Sequence, residues 1–256
     1  MKKYFFIIIA VVALQGCGRD ESELQKKELL IYCGITMIKP MTEIKSIIET
    51  QENCKITITK GGSGNLLKAL KLSGIGDLYL PGSDSYIKKC DEENLITDSI
   101  LVGYNQAAIM VQKDNPKNIS PDLENFTNKS LFVVIGNPDS GSIGKETKKI
   151  LQGKGIFDSV LNNARIITVD SKNLFQLLKN GEADLVINWY AVSVWDEHKD
   201  DVTAIKIDEK YAEKKKLVIG LLKTSKYPEI AKKLMDYAAG ENGKLIFAKY
   251  GLGENK

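Results

Sequence analysis

Short apolar runs alternate with segments of helical periodicity along the first third of the chain. Residues 29–33 form an apolar run, and after Gly34 the apolar positions of residues 38–48 recur every three to four residues. The same order of strand, glycine turn and helix recurs at 56–72, and a third unit begins at 76–84. Consecutive units of this kind predict a parallel sheet that is covered by helices on both faces.

The second half of the chain repeats this architecture without repeating its sequence. A loop rich in proline and asparagine at 114–121 is typical of a boundary between lobes. The tail at 228–250 is helical and has no sheet of its own to cover, so we expect it to return to the first lobe. Further strands are predicted at 107–111, 131–135, 166–169, 184–190 and 216–221.

The pattern therefore predicts an α/β chain of two lobes, each a mostly parallel sheet flanked by helices. We expect lobe 1 to comprise residues 28–106 and 222–256, and lobe 2 to comprise residues 107–221. Because the chain crosses twice between the lobes, a ligand cleft is expected to lie between them. In parallel sheets, ligands collect at the carboxyl ends of the strands, where Thr36, Ser63 and Ser83 are predicted.

The glycine turn before the second helix is the strongest candidate for ligand binding. Three glycines in the four residues Gly61-Gly62-Ser63-Gly64 allow a tight turn and a close approach of the backbone to a ligand. The helix that follows offers unpaired N–H groups to an anion. The alternative is a plain loop in which the Ser63 hydroxyl only caps the helix.

The N-terminus has the features of a bacterial export signal. Lys2 and Lys3 precede an apolar run, which is too short to span a bilayer and ends at Leu14-Gln15-Gly16-Cys17. We expect residues 1–16 to be a lipoprotein signal peptide, Cys17 to be lipidated and residues 17–27 to be a tether. The body would then be anchored to a bacterial membrane, in the periplasm or on the outer cell surface. The alternative is an ordinary signal with a coincidental cysteine.

Charge and cysteine content narrow the class of ligand. Removing Lys2 and Lys3 with the signal lowers the formal net charge from +3 to +1, so we expect no nucleic-acid partner. Arginine occurs only twice, which argues against a guanidinium clamp on phosphate. Cys33, Cys54 and Cys90 remain after Cys17; at most one disulfide can form, with Cys54–Cys90 the less strained pair, and three buried free thiols are favoured.

Residues suited to catalysis are scarce. The single histidine, His198, lies in a polar run, and no serine is flanked in the Gly-x-Ser-x-Gly manner. No Cys-x-x-Cys spacing indicates a metal site. A carboxylate pair for glycoside hydrolysis stays open as an alternative. We expect a binding protein rather than an enzyme, with no catalytic residues, metal or cofactor.

Several segments across the chain after the tether resemble the periplasmic molybdate-binding proteins of ABC importers, which have the type II two-lobed binding-protein fold. The closing segment over 240–251 is the most specific of them, although it marks the fold more than the ligand. The segments that carry the resemblance are the turn with Thr36, Gly61-Gly62-Ser63-Gly64-x-Leu66, Asp77-Leu78-Tyr79-Leu80 with Ser83-Asp84, Pro138-Asp139, Glu182-Ala183-Asp184-Leu185 and residues 240–251.

This resemblance implies a tetrahedral oxyanion ligand, bound by hydroxyl and backbone N–H groups without a counter-charge. The family's serines in lobe 1 correspond to Thr36 and Ser63, with Gly62 and Ser83 in the adjoining turns. Its backbone donors in lobe 2 fall near Ile143 and Ser171. Its tyrosine falls at Trp189 or Tyr190, and because side chains alternate along a strand, only one of these two can face the cleft.

The identity of the anion and of the partner stays open at this stage. Tungstate, sulfate, thiosulfate, phosphate or a small organic anion are alternatives to molybdate. Asp84 and Asp170 are possible acceptors for a protonated anion, or else a helix cap or a hinge ion pair. The resemblance implies a monomer that delivers its ligand to an importer permease; a sensor that signals to a membrane receptor is the second hypothesis.

Overall fold

The computed structural model of the chain describes residues 26–254. The expected signal peptide, the lipidation site at Cys17 and nearly all of the tether lie outside the described residues. Within residues 26–254, every helix is too short or too polar to cross a bilayer.

Ten strands and eight helices make up the described part of the chain, together with short 3₁₀ turns. The strands are β1 Lys27–Gly34, β2 Cys54–Gly61, β3 Leu78–Leu80, β4 Ile96–Asn105, β5 Ala107–Gln112, β6 Val133–Gly136, β7 Ile166–Thr168, β8 Leu185–Trp189, β9 Val202–Lys206 and β10 Lys215–Leu222. The helices are α1 Ile38–Glu52, α2 Ser63–Ser73, α3 Ser85–Glu92, α4 Ser142–Lys154, α5 Phe157–Asn163, α6 Ser171–Lys179, α7 Pro228–Ala239 and α8 Glu241–Lys249. The 3₁₀ turns are Ile35–Met37, Leu123–Thr127 and Tyr190–Val194.

The strands form two five-stranded sheets, which confirms the predicted α/β architecture with two lobes. The first sheet has the order β2-β1-β3-β10-β4, and the second has the order β7-β6-β8-β5-β9. Both sheets are mixed: each contains two parallel and two antiparallel pairings. Every antiparallel pairing involves β5 or β10, and these strands begin directly after the two points where the chain passes from one lobe to the other.

The second crossing lies earlier than the sequence suggested. Strand β10 pairs antiparallel with β3 and β4, and Lys215 lies opposite Asn105 at the end of β4. Residues 215–221 therefore belong to lobe 1, and their assignment to lobe 2 was wrong. The reason is that the apolar pattern of a buried strand is compatible with either sheet. Only its pairing with strands that are distant in the chain decides which sheet it joins.

Each lobe has a core of its own. Helices α1, α7 and α8 cover one face of the first sheet, where Ile31, Met41 and Leu234 are fully buried. The second core is built around β6 and β8. Cys33, Cys54 and Cys90 are buried free thiols in lobe 1, as predicted, and burial raises the pKa of the Cys90 thiol to about 11. The two cores are joined only at Ala191 among the described residues, because this residue of the Tyr190–Val194 turn packs into the core of lobe 1.

Candidate functional site

The turns of both lobes meet around one small cavity of about 10 Å³. A single water molecule needs roughly 10–15 Å³, so the lobes must separate slightly to admit any larger guest. The starts of three α-helices line the cavity, those of α2, α4 and α6, together with the starts of the 3₁₀ turns Ile35–Met37 and Tyr190–Val194. The lining residues from lobe 1 are Gly34, Ile35, Thr36, Gly61, Gly62, Ser63 and Gly82, and those from lobe 2 are Gly141, Ser142, Ile143, Asp170, Ser171 and Trp189.

Parallel pairing of strands places the turns of each lobe side by side. Gly34 at the end of β1 lies in register with Gly61 at the end of β2, so the turns that start the Ile35–Met37 3₁₀ helix and α2 are neighbours. In lobe 2, the end of β6 lies in register with the end of β7, and α4 and α6 follow. The carboxyl ends of parallel strands therefore bring these helix N-termini together, as the sequence predicted.

Ser63 has a hydroxyl hydrogen available for a guest. Its Oγ accepts a hydrogen bond from the Gly82 N–H at 3.0 Å, and its backbone oxygen accepts one from the Tyr79 hydroxyl at 2.7 Å. Ser63 is 2 % exposed, so its position is fixed by these bonds. The N-cap of α2 is Gly62, with no side-chain cap, so the alternative in which Ser63 caps the helix is wrong.

Thr36 is the second hydroxyl of lobe 1 at the cavity. Its Oγ1 accepts a hydrogen bond from Asn105 Nδ2 at 3.2 Å and donates to Met37 Sδ at 2.8 Å. A thioether sulfur is a weak acceptor, so an oxyanion in the cavity would compete well for the same hydrogen. The Asn105 amide also donates to the Gly82 oxygen at 3.4 Å, and thus fixes two turns at once.

In lobe 2, the start of α4 leaves its first N–H groups without a side-chain cap. Gly141 is the N-cap, and the first turn of α4 contains no acidic residue. The start of α6 is different, because the Asp170 carboxylate accepts hydrogen bonds from the N–H groups of Lys172 and Asn173. Ser171 thus lies at a helix start where the next two backbone N–H groups, those of Lys172 and Asn173, are already hydrogen-bonded.

Trp189 faces the cavity and Tyr190 does not. Trp189 is 1 % exposed, and its indole nitrogen lies 3.5 Å from the position that a Cβ on Gly82 would occupy. Tyr190 is 36 % exposed and lines a separate pocket beside Gln106. The expectation that Tyr190 belongs to the site is therefore not met, because the end of β8 turns consecutive side chains in opposite directions.

Ser83 lies outside the cavity lining, in a wider groove next to it, where its hydroxyl is bonded to Ser85 Oγ at 2.9 Å. His198 is also outside the cavity lining, in a neighbouring pocket that shares Ile35 with it: its ring is stacked on Phe175 at 3.7 Å, and its Nδ1 bonds to the Val192 oxygen. The histidine therefore has a packing role in lobe 2.

The hydrogen-bond donors of the described cavity lining are neutral groups, and its one charged group is a carboxylate, which opposes an anion. Among the described residues that line it, Asp170 alone is charged, and its Oδ1 is taken up by capping α6. Asp84, the other candidate acceptor, pairs with Lys88 at 2.8 Å outside the cavity lining. In the described part of the chain, no cluster of three or more histidine, cysteine or acidic side chains is arranged to hold a metal.

The two lobes are closed on each other, and glycines make this contact possible. A Cβ on Gly62 would lie 2.5 Å from the Ser140 oxygen, and one on Gly64 would lie 2.5 Å from the Asp139 oxygen. The Asn65 N–H donates to the Ser140 oxygen across the cleft at 3.1 Å. The glycine turn thus brings two backbones together as well as lining the cavity.

Sequence reasoning missed Ser142, Gly82 and Asn105. Ser142 could have been found, because Gly141-Ser142 repeats the Gly62-Ser63 pattern of a glycine and a serine at a helix start. Asn105 gave no such signal, since its partner Thr36 is 69 residues away in the chain.

Comparisons with known proteins agree with this arrangement. A putative binding protein of Haemophilus influenzae is 27 % identical over 242 residues, which cover 94 % of this chain and 97 % of that protein. The periplasmic molybdate-binding protein of Azotobacter vinelandii has a similar structure, with a TM-score of 0.77 at 14 % identity over 89 % of this chain and all of that one. A periplasmic thiamin-binding protein matches with a TM-score of 0.76 at 16 % identity, over 90 % of this chain and 85 % of that one.

At such low identity the structural matches show the fold alone, and these two proteins bind chemically different ligands. The sequence itself also matches the family described as bacterial extracellular solute-binding protein, over residues 29–253. That range contains both lobes, both crossings and every residue that lines the cavity. The chain therefore belongs to the bacterial extracellular solute-binding protein family.

Proposed function

We propose that this chain captures a small tetrahedral oxyanion, of the molybdate or tungstate kind, for an ABC importer. The observation that carries the proposal is the convergence of helix starts and hydroxyls from both lobes on one small cavity. Among the described lining residues, Thr36 and Ser63 supply hydroxyls, the starts of α2 and α4 supply N–H groups, and Trp189 supplies an indole. The proposed partner, an importer permease, rests on the resemblance and on the family.

The donor set favours a fully ionised guest. A dehydrated anion at a helix start gains about 0.3–1 kcal/mol at an exposed site and up to about 2 kcal/mol in a partly buried one. N–H groups cannot accept a hydrogen from a protonated oxyanion, and the Ser63 and Thr36 hydroxyl oxygens already accept one hydrogen bond each, so donors outnumber free acceptors in the cavity. Asp170 caps α6 through Oδ1, which accepts from the N–H groups of Lys172 and Asn173, and its Oδ2 can still accept a hydrogen from a protonated anion.

Other anions are alternatives to molybdate and tungstate. Sulfate, thiosulfate and phosphate are compact oxyanions and remain alternative ligands of the same site. A small organic anion is a further alternative, because a closed cavity of about 10 Å³ is smaller than all of these ligands and does not rank them by size. A sensor that signals to a membrane receptor would use the same closure of the lobes, so binding alone does not separate it from an importer component.

We also propose that the protein works outside the cytoplasm as a lipid-anchored monomer. The family supports an extracytoplasmic location. Lipid attachment at Cys17 rests on the sequence Leu14-Gln15-Gly16-Cys17. Mass spectrometry of the membrane fraction tests it: we expect Cys17 as the first residue with an added diacylglyceryl group, and an intact peptide that spans residues 14–20 would contradict it.

Thermal unfolding of the purified protein with molybdate, tungstate, sulfate, thiosulfate and phosphate tests the ligand class. At one hundred times its dissociation constant, a ligand adds about 2.7 kcal/mol to the free energy of unfolding. We expect a clear rise of the melting temperature with at least one of the five. No shift with any of them would overturn the proposed class and leave the organic anion as the alternative.

Replacing Ser63 with alanine tests the site. The loss of one hydrogen bond to a charged guest is expected to weaken binding by about 1.5–3 kcal/mol. Ser46→Ala is the matched control, because the Ser46 hydroxyl is exposed and bonds only within α1, to the Thr42 oxygen at 3.1 Å. Equal dissociation constants for the two variants, measured by calorimetry, would remove Ser63 from the site.

A further inference from the structure

A wide groove adjoins the cavity on the outer side of the cleft. Its volume is about 910 Å³, and it runs between α2 of lobe 1 and α4 of lobe 2. Ser142 lines both the groove and the cavity, and it lies directly against Gly82. The groove therefore leads from the solvent to the wall of the cavity.

The groove has an excess of positive charge. Seven lysines and three acidic residues line it. Four of these lysines form ion pairs with carboxylates, including Lys215 with Glu146 at 3.2 Å. Lys68, Lys145 and Lys148 form no ion pair in the part of the chain that the structure describes.

These three lysines lie on both sides of the groove. Lys68 projects from α2 in lobe 1, whereas Lys145 and Lys148 follow Ser142 on α4 in lobe 2. The Lys145 ammonium donates to Ser85 Oγ at 3.3 Å, and so reaches across the cleft to lobe 1. Positive charge is thus concentrated at the mouth of a cavity whose own lining contains no described cation.

We propose that this groove is the approach path of the anion, and that Lys68, Lys145 and Lys148 set its rate of association. The proposal rests on the proposed function, because it needs an anionic ligand. Clefts lined by one sign of charge focus the field and raise association rates by roughly 10- to 1,000-fold. Neutral donors inside the cavity then hold the anion, so the lysines act mainly on the association rate, and the exposed Lys145–Ser85 bond across the cleft adds little to dissociation.

The test compares two triple variants with the same loss of charge. Lys68, Lys145 and Lys148 are replaced with glutamine in the first. The control replaces Lys129, Lys226 and Lys244, which are exposed and outside the groove. The probe is whichever of molybdate, tungstate, sulfate, thiosulfate and phosphate binds most tightly in calorimetry.

Stopped-flow tryptophan fluorescence, to which Trp189 and Trp195 both contribute, gives both rate constants, and calorimetry at each salt concentration gives the dissociation constant independently. At about 0.01 M salt, we expect the groove variant to associate roughly tenfold more slowly than the control, with dissociation unchanged within about twofold. At about 1 M salt, where the screening length falls from about 30 Å to about 3 Å, the two variants should converge.

Two results overturn the proposal in distinguishable ways. Equal association rates for the two variants at low salt, or a change confined to dissociation, would show that the groove lysines do not guide the anion, while the proposed function stands. The absence of binding of all five anions to the wild-type protein would overturn the proposed function, and the approach path with it.

Discussion

Replacing Gly64 with alanine separates folding from closure of the cleft. Gly64 is the second residue of α2, and a Cβ there would lie 2.5 Å from the Asp139 oxygen of lobe 2. Real Cβ atoms essentially never approach another atom closer than 3.0 Å, and the atom contacted belongs to a backbone. The lobes must therefore move apart, whereas lobe 1 itself can keep its structure.

The size of the effect follows from what this opening breaks. The Asn65 N–H loses its bond to the Ser140 oxygen, which is worth about 0.5–1.5 kcal/mol. A bound anion also loses at least one donor from the opposite lobe, which costs about 1.5–3 kcal/mol for a charged acceptor. We expect binding to weaken by about 2–4.5 kcal/mol in total, or roughly 30- to 2,000-fold.

Stability without ligand should change little. Alanine is favoured over glycine within a helix by about 1 kcal/mol, which roughly offsets the lost Asn65 bond, so the ligand-free Gly64→Ala variant should be about as stable as the wild type. Gly153→Ala is the matched control: Gly153 lies in α4, and a Cβ there would meet only Tyr211, at 3.7 Å. That variant should gain stability and keep its affinity.

Calorimetry for affinity and thermal unfolding without ligand for stability are the two assays. Wild-type affinity in Gly64→Ala would refute the reasoning, because it would mean that binding does not need the lobes to meet. A loss of stability equal to the loss of affinity would refute it as well, since the substitution would then have damaged lobe 1.

Further predictions concern the aromatic residues and pH. Trp189→Phe removes the indole donor and should weaken binding by about 1.5–3 kcal/mol. Tyr190→Phe should leave the dissociation constant unchanged. Weaker binding by Tyr190→Phe with unchanged binding by Trp189→Phe would contradict the assignment of Trp189 to the cavity. Burial lowers the pKa of His198, so the unfolded chain binds its proton more readily and the free energy of unfolding should fall as the pH drops through the ordinary histidine range near about 6.5. Because His198 is the single histidine, His198→Gln should remove this part of the pH dependence, and an unchanged slope in urea unfolding would contradict it.

The sequence predicted the site best where short-range pattern and topology agree. Thr36, Ser63, Ile143 and Ser171 each follow a strand and a polar turn, and parallel pairing then places such turns at one edge of the sheet. Strand alternation predicted that only one of Trp189 and Tyr190 faces the cleft. Which of the two does so depends on which face of β8 packs against the core. The sequence does not contain that information in any local pattern.

Long-range contacts were the part that could not be predicted. The apolar run of β10 is equally suited to either sheet, so its membership of lobe 1 depends on pairing with β4. Asn105 reaches Thr36 through a hydrogen bond that spans 69 residues. The closing contact between Gly64 and Asp139 joins different lobes, and the glycine pattern alone showed only that a close approach was possible.

A crystal structure with the tightest-binding oxyanion tests the central claim most directly. The account predicts the anion in the cavity between the lobes, with its oxygens about 2.7–3.2 Å from the N–H groups of Ser63 and Ile143 and from the Trp189 indole. It also predicts no lysine ammonium within that distance. An anion held by lysines in the groove, with none in the cavity, would contradict the claim that neutral donors from two lobes bind the guest.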